Sequence, residues 1–248
     1  MNVLALIPAR MGSSRFPGKP MKEILGKPMI GHVYENVVKS NVLTKTVVAT
    51  CDKEIFDYIQ SIGGEAVMTG AHHERASDRC AEALMTLEQK YSVHYDIVVM
   101  VQGDEPMTHA DMIDEAVLPM IANPSLEVVN LIADIKTSEE FHDPNCIKVV
   151  CDLNGYALYF SRAPIPTHPQ GDAGLLMQKQ VCIIPFRRDF LIEYTGLSPT
   201  PLEIKESVDM MRVLEHGRKV FMVPTKHSTH AVDTLADLDK VEKLMSIN

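Results

Sequence analysis

The stretch Val3-Leu4-Ala5-Leu6-Ile7-Pro8-Ala9-Arg10-Met11-Gly12-Ser13-Ser14-Arg15-Phe16-Pro17-Gly18-Lys19-Pro20 decides the fold. Its first five residues form a continuous apolar run, the pattern of a short strand covered on both faces, as in a parallel sheet. The run ends in a loop that carries Arg10, Arg15 and Lys19 together with Gly12 and Gly18. Glycines let backbone N–H groups approach an anion closely, and Arg and Lys supply the charge a triphosphate needs. The competing reading is a solvated basic loop. It is weakened because the cations follow a buried strand in an acidic chain, with 33 acidic against 24 basic residues and a net charge of -9. The loop is not a Walker A loop, since Lys19 is followed by Pro20, and no GxGxxG fingerprint is present.

Outward from this stretch the chain alternates. Residues 29–39 carry apolar residues at helical spacing, 46–50 read as a second buried strand, and 53–62 as a helix stopping at Gly63-Gly64. Ala66-Val67-Met68 predicts a third strand, 76–91 an amphipathic helix, and 96–101 a strand running into Gln102-Gly103-Asp104. Such alternation predicts an α/β fold with a mostly parallel, doubly wound sheet. Ligands of such sheets sit at the carboxyl ends of the strands, where both the basic loop and Asp104 begin. The second half differs. Asn154-Gly155 marks a two-residue hairpin turn, 163–174 a Pro/Gly/Asp-rich loop, 180–186 a strand, 201–215 a helix, 220–223 a strand, and a last helix starts near Thr234. The expected organisation is one domain over 1–248 with an antiparallel arm inserted at approximately 150–190.

Composition narrows the function. The acidic balance argues against nonspecific nucleic-acid binding, which needs a basic face. No apolar run approaches the ~20 residues of a membrane-spanning helix, and no signal-peptide pattern opens the chain. The five cysteines (Cys51, Cys80, Cys146, Cys151 and Cys182) have neither CxxC nor zinc spacing, so reduced structural thiols in a cytoplasmic enzyme are expected. His72-His73 invites a metal reading, but adjacent side chains point apart in most backbones.

The loop resembles that of the CMP-Kdo synthetases, the 3-deoxy-manno-octulosonate cytidylyltransferases. Further matching stretches, in order, are Gly26-Lys27-Pro28-Met29-Ile30, Val101-Gln102-Gly103-Asp104-Glu105-Pro106, Tyr156-Ala157-Leu158-Tyr159-Phe160-Ser161-Arg162-Ala163, Arg212-Val213-Leu214 and Val232-Asp233-Thr234. The resemblance implies a nucleotidyltransferase fold that dimerises through the second-half arm. It also implies a reaction in which an acidic sugar attacks the α-phosphorus of CTP and pyrophosphate leaves. Pro8, Ala9, Arg10, Ser13, Arg15, Lys19, Thr69, Arg79 and Gln102 would then surround the nucleotide, with Arg10, Lys19 and Asp104 as catalytic groups. Asp104 and Asp233 are carried over as Mg²⁺ ligands. Taken alone, Asp104 is as well read as a turn residue, and Asp233 as the N-cap of the last helix. Arg79 has a similar bland reading, as a surface ion pair at a helix start.

On the acceptor side the sequence departs from the family pattern. Arg162 is retained, and a guanidinium can grip a carboxylate at two points. The strand that carries the family's His and Tyr has Gln180 and, approximately, Ile184 in their places. In Glu206-Ser207-Val208-Asp209, Glu206 survives and Asp209 is one methylene shorter than the family glutamate. An isoleucine cannot pair with a sugar hydroxyl, and a buried unpaired hydroxyl costs about 1–3 kcal/mol. Arg162, Gln180, Glu206 and Asp209 are the candidate acceptor contacts. Three readings follow from the sequence: a cytidylyltransferase acting on Kdo or a related acidic sugar, one acting on another anion such as a phosphonate, or a nucleotide-binding protein without turnover.

Overall fold

The computed structural model describes residues 1–12, 16–167, 177–227 and 229–247. Strand β1 (Val3–Ala9) leads, past a short 3₁₀ turn at Lys19–Met21, to the small hairpin β2 (Glu23–Ile24) and β3 (Lys27–Pro28). Alternation follows through α1 (Met29–Val37), β4 (Lys45–Thr50), α2 (Lys53–Ser61), β5 (Ala66–Met68), α3 (Ala76–Tyr91) and β6 (Ile97–Val101). Then come α4 (Ala110–Ala122), β7 (Val129–Asp134), α5 (Ser138–His142), β8 (Lys148–Cys151), β9 (Ala157–Ser161), β10 (Gln178–Val181) and β11 (Ile183–Arg187). The chain closes with α6 (Arg188–Gly196), α7 (Pro201–Glu206), α8 (Met210–Glu215), β12 (Phe221–Pro224) and α9 (Leu235–Met245).

The first sheet has the order β11-β6-β1-β4-β5, with β6, β1, β4 and β5 parallel and β11 antiparallel at one edge. Every residue of β1 is buried, which explains its unbroken apolar run. Its side chains alternate between two cores. Leu4 and Leu6 pack with Cys80, Leu84 and Leu87 of α3, whereas Val3, Ala5 and Ile7 pack with Ile30, Val33 and Val37 of α1 and with α4. Helices on both faces are thus required by the sequence of the strand itself. Each fully buried Leu, Ile or Val contributes roughly 1.5–3 kcal/mol. After β1 the chain moves to one side, through β4 and β5, and then returns to the other side with β6. This reversal places a crevice between the carboxyl ends of β1 and β6.

The second sheet has the order β12-β7-β10-β8-β9 and is antiparallel apart from the β12–β7 pair. It contains the expected hairpin, but the turn is longer than Asn154-Gly155 alone. Asp152 accepts from the amides of Asn154 and Tyr156, both at 2.8 Å, and Gly155 takes φ 82°. The expected single strand at 180–186 is two strands in different sheets, β10 and β11, and Cys182 between them carries the chain from one sheet to the other. The expected helix at 201–215 is likewise two. Ser207 adopts a left-handed φ of 53°, which ends α7 and starts α8 in a new direction. A bidentate pair between Arg212 and Glu203 (2.8 and 2.7 Å), buried on both sides, locks the two short helices together. The family-like Arg212 is therefore accounted for by packing.

Among the described residues, no helix is long and apolar enough to cross a membrane. All five cysteines are free thiols.

Candidate active site

The basic loop is pinned at its base. The Met11 amide donates to Asp52 Oδ2 at the end of β4 (2.8 Å), and the Gly18 amide donates to the Met11 carbonyl (3.0 Å). Ser13 and Arg15, expected at the phosphates, lie outside the described residues. The loop's far end returns Lys19 to the sheet edge. Its Nζ lies 2.6 Å from Asp104 Oδ2 and 3.2 Å from Asp233 Oδ1, and its side chain is 12% exposed. The cation and the two carboxylates, far apart in sequence, thus meet at one point.

Two backbone features bring the carboxylates there. Gly103 sits where an added Cβ would lie 3.0 Å from the Pro8 carbonyl oxygen and 3.3 Å from Ile30, so only glycine lets the β6 loop press against the end of β1. On the other side, the Val232 amide donates to the Asp104 carbonyl (2.9 Å), stitching the approach to α9 onto the same loop. Asp233 is not the N-cap of α9. Thr234 takes that role, its hydroxyl accepting from the Asp237 amide while Asp237 reaches back to the Thr234 amide. Asp233, one residue earlier, is left facing Lys19. A small core of Phe16, Ile24, Met29, Val232 and Val241 holds α9 against the β2–β3 hairpin and fixes this arrangement.

The residues form the floor and walls of a cleft of about 270 Å³. Six of the nine positions expected around a nucleotide line it, Pro8, Ala9, Arg10, Lys19, Arg79 and Gln102, together with Asp104. Arg79 is buried rather than a surface ion pair. Its guanidinium donates to Thr69 Oγ1 and to the carbonyls of Gly70 and His73 (3.3 Å each), so Arg79 and Thr69 brace one wall from within. Arg10 Nη1 reaches the His73 carbonyl over 3.4 Å. The cleft also has Arg75, which the sequence did not single out. Arg75 pairs with Glu203 at 2.9 Å and with Asp209. Nothing in its neighbours in sequence marks it, because the partners lie on α7 and at the start of α8.

The four acceptor candidates do not line this cleft, and each has intramolecular partners. Glu206 accepts from Tyr159 Oη (3.1 Å), Ser161 Oγ (3.0 Å) and the Arg162 amide (2.8 Å). The Arg162 guanidinium donates to the carbonyls of Glu206 (2.6 Å), Pro144 (2.8 Å) and Ser207 (3.2 Å), and so grips the end of α7. Asp209 is not on the helix of Glu206. Its carboxyl faces Arg75, and burial raises its pKa against the pull of that guanidinium. Gln180 donates to the side chain of Asn130 (2.5 Å). Ile184 pairs with Met100 in the first sheet and lies in the core.

A nucleotide-sized cleft at the switch point of a parallel sheet, with cations and paired carboxylates at its edge, defines a nucleotidyltransferase. A family model for cytidylyltransferases matches residues 4–220, and the chain belongs to that family. Within it, the relatives are 3-deoxy-manno-octulosonate cytidylyltransferases. The one from Trichlorobacter lovleyi is 41% identical over 255 residues, covering 99% of each chain. The one from Geobacter sulfurreducens is 42% identical over 255 residues, covering 98% of this chain and 100% of its own. A solved structure of CMP:2-keto-3-deoxy-manno-octonic acid synthetase complexed with CTP superposes with a TM-score of 0.90 at 37% identity, over 100% of this chain and 99% of the other.

Proposed function

We propose that this protein joins CMP from CTP to 3-deoxy-manno-octulosonate and releases pyrophosphate. The observation that carries the reading is the meeting of Lys19 with Asp104 and Asp233 at the mouth of the cleft. In the reaction an acceptor hydroxyl oxygen forms a bond to the α-phosphorus. The bond from that phosphorus to the pyrophosphate oxygen breaks, and the hydroxyl proton leaves to solvent. The chain's own task is positioning and charge neutralisation. Arg10 and Lys19 hold phosphate oxygens, and Lys19 neutralises charge that builds on the departing pyrophosphate. The wall braced by Arg79 and Thr69 shapes the space for the base, and Gln102 offers a carboxamide beside it.

The donor set suits Mg²⁺, which takes hard oxygen ligands and needs only one or two carboxylates beside phosphate oxygens and water. Asp104 and Asp233 are the residues that would hold it. In the free protein Lys19 already neutralises both carboxylates, as a cation at this point must. Bound Mg²⁺ would polarise the α-phosphate and the acceptor oxygen.

The protein's place is the cytoplasm, where CTP is supplied, and its working form a homodimer. The exposed side chains of Leu153 and Leu158 on the β8–β9 hairpin, at the edge of the second sheet, support a partner there. Light scattering coupled to gel filtration tests the dimer. The activity is tested by pyrophosphate release from CTP, Mg²⁺ and 3-deoxy-manno-octulosonate, with Asp104→Asn as control. Absence of release from the wild-type protein under these conditions, with other acidic sugars turned over, refutes the acceptor.

A further inference from the structure

We propose that His72, His73 and Glu82 form a binding site for Zn²⁺ on the outer side of the wall that bounds the nucleotide cleft. Adjacent histidines ordinarily diverge, but here the two rings lie with centroids 4.2 Å apart. One donor atom from each of His72, His73 and Glu82 falls within 4.8 Å of the other two. Zn²⁺ binds imidazole nitrogen and carboxylate oxygen at about 2.0–2.2 Å, so small side-chain rotations bring all three donors onto one ion.

The site is built rather than incidental. The Gly70 amide donates to both oxygens of Glu82, at 3.1 and 3.0 Å, which orients the carboxylate as outer partners orient metal ligands. Gly70 also makes room for His72. An added Cβ there would lie 2.4 Å from the His72 ring. Beside the three donors is an open depression of about 660 Å³, also lined by Asp78, Met85 and Thr86, with room for water ligands. Two imidazoles and one carboxylate favour Zn²⁺ over Mg²⁺, so this site and the all-oxygen pair at Asp104 and Asp233 select different ions. When the ion binds, it takes the place of the contact between His73 Nε2 and Glu82.

The site is coupled to the cleft through one atom. The His73 carbonyl oxygen accepts from both Arg10 (3.4 Å) and Arg79 (3.3 Å). An ion on the His73 ring therefore fixes the carbonyl that aims two cations of the nucleotide cleft. The coupling rests on that cleft taking CTP; the metal site itself does not.

The test is titration of the full chain with Zn²⁺ in excess Mg²⁺, by calorimetry, with and without CTP. The wild type is expected to bind one Zn²⁺ at this site, and His72→Ala and Glu82→Gln to bind it at least about tenfold more weakly. His109→Ala, in the exposed group His109, Asp111 and His227, should leave that binding unchanged. Zn²⁺ should shift the CTP affinity of the wild type and not that of His72→Ala. Equal Zn²⁺ affinity in wild type, His72→Ala and Glu82→Gln overturns the site. Zn²⁺ bound at this site with CTP affinity unmoved overturns the coupling. A wild type that binds Zn²⁺ here but binds no CTP overturns the reading of the cleft and leaves the metal site standing.

Discussion

Lys19 Nζ stands between Asp104 and Asp233, 2.6 Å from one and 3.2 Å from the other, and so holds together two carboxylates that would otherwise repel. On the proposed reading the same point takes Mg²⁺, so Lys19 would be both a phosphate ligand and a competitor for the metal. Lys19→Ala is therefore expected to act in two directions. Turnover should fall roughly 10²–10³-fold, the usual loss on removing one preorganised charge from a transition state. Mn²⁺ binding to the free protein, followed by electron paramagnetic resonance, should tighten, because the ammonium no longer occupies the site. Weaker Mn²⁺ binding in the variant would mean that Lys19 orders the carboxylates more than it competes for them.

Gly103→Ala should cost both stability and rate. The atom that its Cβ would meet at 3.0 Å is the backbone oxygen of Pro8, which cannot swing aside. The β6 loop must back away from β1, and Asp104 moves with it. Overpacking of this kind costs about 1–3 kcal/mol. Thermal unfolding should show that loss, and kcat should fall more than the loss of folded protein explains. A variant that matches the wild type in both would show that the loop can yield without displacing Asp104.

The first sheet was legible because its information is local. The run at 3–7, the strand at 96–101 and the helix at 76–91 each declare themselves by period and punctuation, and they emerge as β1, β6 and α3. The cleft was legible for the same reason, since a loop at the carboxyl end of a parallel strand has only one place to go. The second half was harder, because its structure is settled by long-range partners. α4 and β7 gave no reading from the sequence, although β7 joins both β10 and β12 in the second sheet. The break between α7 and α8 rests on the backbone of Ser207, a residue type that does not announce a left-handed φ. Arg162 and Glu206 stood as acceptor candidates because both are retained from the family pattern, which says nothing of the partners they have within the chain. In the structure they meet each other's backbone, with Tyr159 and Ser161 on Glu206 and the carbonyls of Pro144 and Ser207 on Arg162. Asp233 was ambiguous in sequence only because Asp and Thr both cap helices, and the capping box of Thr234 with Asp237 decides between them.

Glu88 gives the fold a defined acid sensitivity. Its carboxylate, mostly buried, accepts from Arg188 Nη2 (2.8 Å) and from the Tyr95 amide (3.1 Å), tying α3 to α6. Burial raises its pKa, but Arg188 and the amide outweigh that and leave it below 4.5, its ordinary value. A carboxyl depressed in the folded state stabilises above its unfolded value, and that stability is lost as pH falls through the folded one. Glu88→Gln should therefore lose about 1–3 kcal/mol at neutral pH, where one charged partner is left unmatched. The gap between variant and wild type should narrow as pH drops below about 4.5. Urea unfolding at a series of pH values measures it, and a gap independent of pH would assign the effect to shape instead of charge.

Arg79→Lys separates bracing from charge in the nucleotide wall. The guanidinium serves three acceptors at once, Thr69 Oγ1 and the carbonyls of Gly70 and His73, in a fork that a single ammonium cannot reproduce. Charge is retained, but at least one buried carbonyl loses its donor, at a cost of about 1–3 kcal/mol. The loss falls on the loop that also presents the His73 carbonyl to Arg10, so the KM for CTP should rise several-fold while the KM for the sugar acid changes little. Steady-state kinetics with each substrate varied in turn decides the matter. A rise confined to the sugar acid would move Arg79 out of the nucleotide wall and into the acceptor side of the cleft.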